Sequence, residues 1–174
     1  MRGTSKHSKL YVAWPHLVLA LLVTAYAVYF SAYQVARHEA FYTNIDLANM
    51  EQAIWNTLHG RFMRATIYPV TGAPVSDFTD RQSENRLADH VQPILLVLAL
   101  PYALMPRSEI FGVMLSLATA LGAVPLYSIA RRRLGSEAWA LFFVVLYLLL
   151  PTMETTSAWD PHGTSFLLPF SWQH

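Results

Sequence analysis

The stretch that decides the fold is IFGVMLSLATALGAVPLYSIARRR, residues 110–133, in which 21 uncharged residues are followed by Arg131, Arg132 and Arg133. A helix needs about 20 apolar residues to cross the hydrocarbon core of a bilayer, so the uncharged part is long enough to span. Cytoplasmic loops carry an excess of Lys and Arg, so the three arginines belong in the cytoplasm and residues 110–130 run inward.

Working outward, the next question is what delivers the chain to the far side. Between Lys9 and Arg37 lie 27 residues without a formal charge. Arg2, Lys6 and Lys9 precede this run in the manner of a signal peptide, but a signal peptide's apolar segment is about 7–15 residues. Residues 10–33 therefore read as a retained signal-anchor with a cytoplasmic N-terminus (residues 1–9), with Pro15 near its start, where a first helical turn tolerates it. Cleavage near Ser31-Ala32 is the competing reading.

Residues 91–106 are apolar but short, and hold Pro93 and Pro101. If they crossed, the triple arginine would lie outside, so we place them as a helix lying along or dipping into the outer surface. The expected order is then a first transmembrane helix at 10–33 and an outer loop at 34–109, with surface helices near 45–58 and 91–105. A second span at 110–130, a cytoplasmic loop at 131–137 and a third span at 138–153 follow. An outer segment at 154–163 leads to residues 164–174, the start of a further helix too short to span. Backbone groups in lipid need a complete helix or a closed barrel, so an N-terminal fragment of a larger protein is expected. The fold class is all-α: a polytopic helical membrane protein with short amphipathic surface helices in its first outer loop.

Composition agrees. Of 174 residues, 54% are hydrophobic and 13% charged, with a mean hydropathy of +0.30; a soluble domain carries roughly 25% charged residues. A net charge of +1 leaves no electrostatic footprint for nucleic acid, and the absence of cysteine excludes disulfides, thiolate metal sites and a cysteine nucleophile. The partner implied is the lipid bilayer, with the plasma membrane as the expected location. There is no glycine-rich phosphate loop, His-Glu-x-x-His or Gly-x-Ser-x-Gly. Residues 72–85 are polar and turn-marked by Gly72-Ala73-Pro74, and read as a flexible part of the loop.

On this topology nearly all the acids face outward: Glu39, Asp46, Glu51, Asp77, Asp80, Glu84 and Asp89 in the first loop, Glu154 and Asp160 in the second. Three places could carry chemistry. In the first, Leu47, Met50, Ile54 and Leu58 make a helical stripe with Asn49, Gln52 and Asn56 opposite, and Trp55 suits a membrane surface. Asp46 there either pairs with Thr43 to cap the helix or acts chemically. In the second, Asp89-His90 precedes the short apolar helix, either as its cap with Gln92 or as a metal- or proton-handling pair. In the third, Asp160-Pro161-His162 is either an N-cap with Pro at the first helical position or a pair of ligands.

These residues resemble a family of predicted membrane proteins catalogued as domain of unknown function 2079. The resemblance runs through Ile45-Asp46-Leu47, Glu51-Gln52-Ala53-Ile54-Trp55-Asn56-Thr57 and His59-Gly60-Arg61-Phe62. It continues through residues 87–95, residues 126–135 and Asp160-x-His162, and so covers nearly the whole chain beyond Ala36. It departs at Ala48-Asn49, where a glycine is expected, and at Gly163-Thr164, which replace an expected proline and acid. The resemblance implies the wider GT-C glycosyltransferase superfamily, multi-span enzymes that take a sugar from a polyprenyl-phosphate carrier at the outer face. It implies Asp46 as general base or acceptor-binding acid, with Glu51 close behind it and Asp160 as second-loop acid. Asp89 and His90 would shape the substrate site or, with His162, hold a divalent cation. Arg61, Arg64 and Arg86 are available to the departing phosphate, or are plain surface charges. Two other readings stand beside it: a non-catalytic factor binding or assembling envelope polysaccharide, and a transporter, which spans lacking polar midplane residues disfavour.

Overall fold

The computed structural model describes residues 5–66, 84–89, 91–161 and 165–166. The chain is mostly helical. In order it forms α1 (Ser5–Glu39), α2 (Ile45–Leu58), β1 (Arg64–Ala65), β2 (Glu84–Asn85), α3 (Arg86–Asp89), α4 (Ile94–Leu104), α5 (Glu109–Leu121), α6 (Ala123–Leu134), α7 (Glu137–Leu148) and α8 (Pro151–Ala158). The strands are two residues each and pair antiparallel, Arg64 with Asn85 and Ala65 with Glu84.

Among the described residues, two segments are long and apolar enough to cross a membrane, Trp14–Glu39 and Glu109–Leu134, and the bent pair α7–α8 makes a third if taken as one span. Each runs further than charge alone suggests. α1 begins at Ser5, so Pro15 stands inside it rather than in its first turn. The second span joins α5 to α6 through Gly122, and it carries the three arginines in its last turn. Pro125 explains the break there: its missing N–H would have bonded the carbonyl of Leu121, the last residue of α5. Pro151 acts likewise at the first position of α8, where α7 has ended at Leu148 and the axis turns by 49°. Residues 154–158, expected in an outer segment, are therefore helical.

The three long segments form one bundle. The His16 ring meets Tyr127 edge-on at 5.8 Å near one end. At the other, Gly112 lies so close to Gln34 that an added Cβ would stand 2.8 Å from the Gln34 Cβ. α1 and α5–α6 thus run antiparallel, and α7–α8 runs parallel to α1. Tyr26, Phe30, Ala120, Tyr127, Val144 and Tyr147 lie in the core between them. The start of α1, Arg131–Arg133 and Glu137 share one end, where Arg131 pairs with Glu137 at 2.5 Å and Gly135 turns the chain at φ 64°. Glu39, Glu109 and Ala158 share the other.

At that second end α2 and α4 pack on α5 around Leu47, Met50, Ile54, Leu95, Leu98 and Phe111. α4 has 11 residues, about 16 Å at 1.5 Å per residue and roughly half the hydrocarbon thickness. It stacks Tyr102 on Phe111 at 5.3 Å. The helix start expected at Asp89 comes instead at Ile94, while Asp89 closes α3. The expected segment 164–174 lies outside the described residues except for a single 3-10 turn at 165–166. The expected loop 72–85 lies outside them too, up to Glu84.

Candidate functional site

The last carbonyls of a helix have no partner within it. α8 solves this with side chains from α1. Gln34 Nε2 donates to the Ser157 carbonyl at 2.7 Å and to that of Trp159, and Arg37 Nη1 donates to the Ala158 carbonyl at 2.6 Å. Gln34 and Arg37 stand three residues apart on one face of α1, and a cation beside a helix C-terminus also opposes the negative end of its dipole.

Arg37 does more than cap. Its Nη2 lies 3.2 Å from Asp160 Oδ1, with the two side chains 14% and 0% exposed, and donates to the Tyr42 carbonyl at 2.6 Å. Asp160 Oδ1 makes no well-aligned hydrogen bond, so the proximity of the guanidinium is what balances it. The other oxygen, Oδ2, accepts the Asn44 backbone N–H. Asp160 therefore reaches back 116 residues to hold the start of α2. Of the residues that would form a helix after it, 162–164 and 167–174 lie outside the described residues.

The cap of α2 is Asn44, whose Oδ1 accepts from the Ile45 N–H at 2.7 Å. This corrects the expected Thr43–Asp46 pairing, since Thr43 is turned toward His38 Nδ1 at 3.5 Å. Asp46 is half-buried in the first turn, where an acid is favoured by the helix dipole. Glu51 lies one and a half turns further on, with both its oxygens engaged: Tyr102 donates to Oε1 at 2.9 Å and Ser108 to Oε2. It ties α2 to α4 and to the start of α5. Burial, reinforced by the hydrogen bond and charge of Glu51, pushes the Tyr102 phenol up to about 12.

Part of the polar side of α2 is also covered. Asn49 and Asn56 are buried, whereas Leu58 of the expected stripe is 44% exposed. The reason is the segment after α2, which wraps back across it. Asn56 Nδ2 donates to the Arg64 carbonyl, and Gln52 Oε1 accepts the Thr66 N–H at 2.9 Å. Arg61 and Arg64 are exposed on this segment. Arg86 is buried and reaches Gln92 Oε1 at 3.5 Å. His90 and His162 lie outside the described residues. Among those described, no three His, Asp or Glu side chains converge as a metal site.

Three open cavities surround the end of α8. One, of about 460 Å³, is lined by Thr152, Thr155, Trp159 and Asp160. Another, of about 420 Å³, lies across α8 against α1 and is lined by Tyr33, Arg37, Glu154 and Trp159. The third, also about 420 Å³, continues toward the bundle's middle past Tyr26 and Leu148. The structure thus joins Asp160 to the start of α2 and hence to the turn that holds Asp46, while Glu51 faces α4. Gln34, Arg37 and Glu154 were missed by motif reading. The signal available was the pair of polar residues three apart at the end of the first apolar run.

The profile of a family described as predicted membrane protein (DUF2079) matches residues 37–172. No curated protein and no solved structure matches.

Proposed function

Starting from a chain that belongs to the DUF2079 family of predicted membrane proteins and sits in a lipid bilayer, we propose that it carries the acid-bearing end of a GT-C-like glycosyltransferase. In this reading that end lies at the outer face of the plasma membrane, with the N-terminus in the cytoplasm. The observation that supports it is the clustering of Asp46 and Asp160, from two distant segments, at one end of the bundle, with the triple arginine at the other. Asp46 takes the proton of the acceptor hydroxyl. The acceptor oxygen forms the new bond to the sugar's anomeric carbon, and the bond from that carbon to the polyprenyl phosphate breaks. The phosphate leaves with the electron pair, its charge met by Arg61 and Arg64. Glu51 positions α2 through its hydrogen bonds from Tyr102 and Ser108, and Asp160 positions it through Arg37 and the Asn44 N–H.

The test is transfer from a labelled polyprenyl-phosphate sugar in membranes containing the protein. Asp46→Asn is expected to lower transfer by about 10²–10⁴-fold, the usual contribution of a positioned base, while leaving membrane insertion intact. Undiminished transfer refutes the assignment. A divalent cation at Asp89, His90 and His162 is a separate part of the proposal: chelation that leaves transfer unchanged removes it. The second reading, a non-catalytic polysaccharide-binding or assembly factor, is favoured by the use of Glu51 and Asp160 as struts. Loss of insertion in Asp46→Asn would instead support a role for Asp46 in starting its helix.

A further inference from the structure

Two of the cavities share Tyr29, Phe30 and Glu154 and so make one cleft between α1 and the bent α7–α8 pair. Its inner half is apolar, walled by Leu22, Val145 and Leu148. Its other half is walled by Tyr33, Thr155 and Trp159. Glu154 is half-buried where the halves meet, on a helix pair apolar enough to count as a span. It stands in the first turn of α8, where the helix dipole favours an acid but supplies no counter-cation.

The charge balance says what the partner is. Arg37 lines the same cleft, but its guanidinium is matched by Asp160 and held by the carbonyls of Tyr42 and Ala158. No cation among the described residues pairs with Glu154. Among the described residues the Glu154 carboxylate thus has no cation beside it in the cleft, where it lies with the rings of Tyr29, Phe30 and Tyr33, of a kind whose faces attract cations. From this we propose that the cleft holds one phospholipid with a primary ammonium head group. The ammonium binds Glu154 beside those rings, and an acyl chain lies along Leu22, Val145 and Leu148. An anionic polyprenyl phosphate is disfavoured here by the same charge, so this site is separate from the one proposed for sugar transfer and does not depend on it.

The experiment is native mass spectrometry of the full chain, purified in detergent with equal amounts of phosphatidylethanolamine and phosphatidylglycerol. One retained phospholipid is expected, with the ethanolamine lipid favoured by about fivefold, the upper range for a partly exposed ion pair of ~1 kcal/mol. In Glu154→Gln the preference is expected to vanish. Bound lipid that mirrors the mixture overturns the proposal, as does an undiminished preference in the Gln variant. Phosphatidylethanolamine acetylated on its nitrogen decides the matter in the wild-type protein alone. It lacks the cation, so it should bind no better than phosphatidylglycerol, and binding equal to the parent lipid overturns the proposal.

Discussion

Replacing Arg37 by Met is the sharpest perturbation of this molecule, because one side chain holds three segments together. Its guanidinium lies 3.2 Å from a carboxylate that is fully buried, and donates at 2.6 Å to each of two carbonyls, one ending α8 and one preceding α2. Met keeps most of the volume and removes the charge. Asp160 is then left buried with the Asn44 N–H as its one remaining hydrogen bond among the described residues. Breaking a buried pair from one side costs about 3–5 kcal/mol, most of it the penalty of the orphaned charge. Asp160→Asn in the same chain removes that charge, so the double variant is expected to be about 2–3 kcal/mol more stable than the sum of the single losses predicts. The assay is unfolding in detergent by titration with SDS, followed by tryptophan fluorescence, for the wild type, both single variants and the double. A loss below about 1 kcal/mol for Arg37→Met, or a cycle additive within about 0.5 kcal/mol, refutes the view that this pair joins the helix ends.

Other outcomes follow from single contacts. Gly122→Ala would put a Cβ 2.3 Å from the Tyr147 hydroxyl, and should cost about 1–3 kcal/mol in the same titration, partly recovered by Tyr147→Phe; an unchanged midpoint means the helices do not approach so closely. Tyr102 should ionise only near pH 12 in the folded protein. Its folded value lies above the ordinary tyrosine value of 10.0, so its contribution to stability is complete below pH 10 and is lost as the pH rises toward 12. The ultraviolet phenolate difference between wild type and Tyr102→Phe checks this, and a step near pH 10 contradicts it. Because the chain has no cysteine, Ser5→Cys and Ser136→Cys can be labelled singly. Both should react from one side of the membrane and Thr43→Cys from the other; labelling of positions 5 and 136 from opposite sides would break the antiparallel arrangement of α1 and α5–α6.

Much of the helical framework was legible because spans are written in composition. An uncharged run of 21 or 27 residues has few alternatives in a bilayer, and backbone groups without water must bond within a helix. Prolines were legible as punctuation, though not in their effect. Pro125 breaks the second span without ending it, while Pro151 turns the third by 49°. α2 was only half legible. Its stripe through Leu47, Met50 and Ile54 is buried as the spacing implies, but Asn49 and Asn56 are buried too, because the segment after the helix supplies polar partners that no periodicity encodes.

The sequence by itself determined that this is a helical membrane protein, which segments are long enough to cross, and that the triple arginine and most of the acids fall in separate regions. These are properties of composition along the chain, and each can be read one stretch at a time. Only the tertiary structure decided which partners the acids meet. Asp160 and Arg37 are 123 positions apart, and Glu51 meets Tyr102 and Ser108 from two later segments. Hydrogen bonds and ion pairs act over about 3 Å, so a partner is set by where the folded chain brings it and not by its distance along the sequence. That is why Asp160 and Glu51 become struts between distant segments, while Asp46 stands half-buried in the first turn of α2.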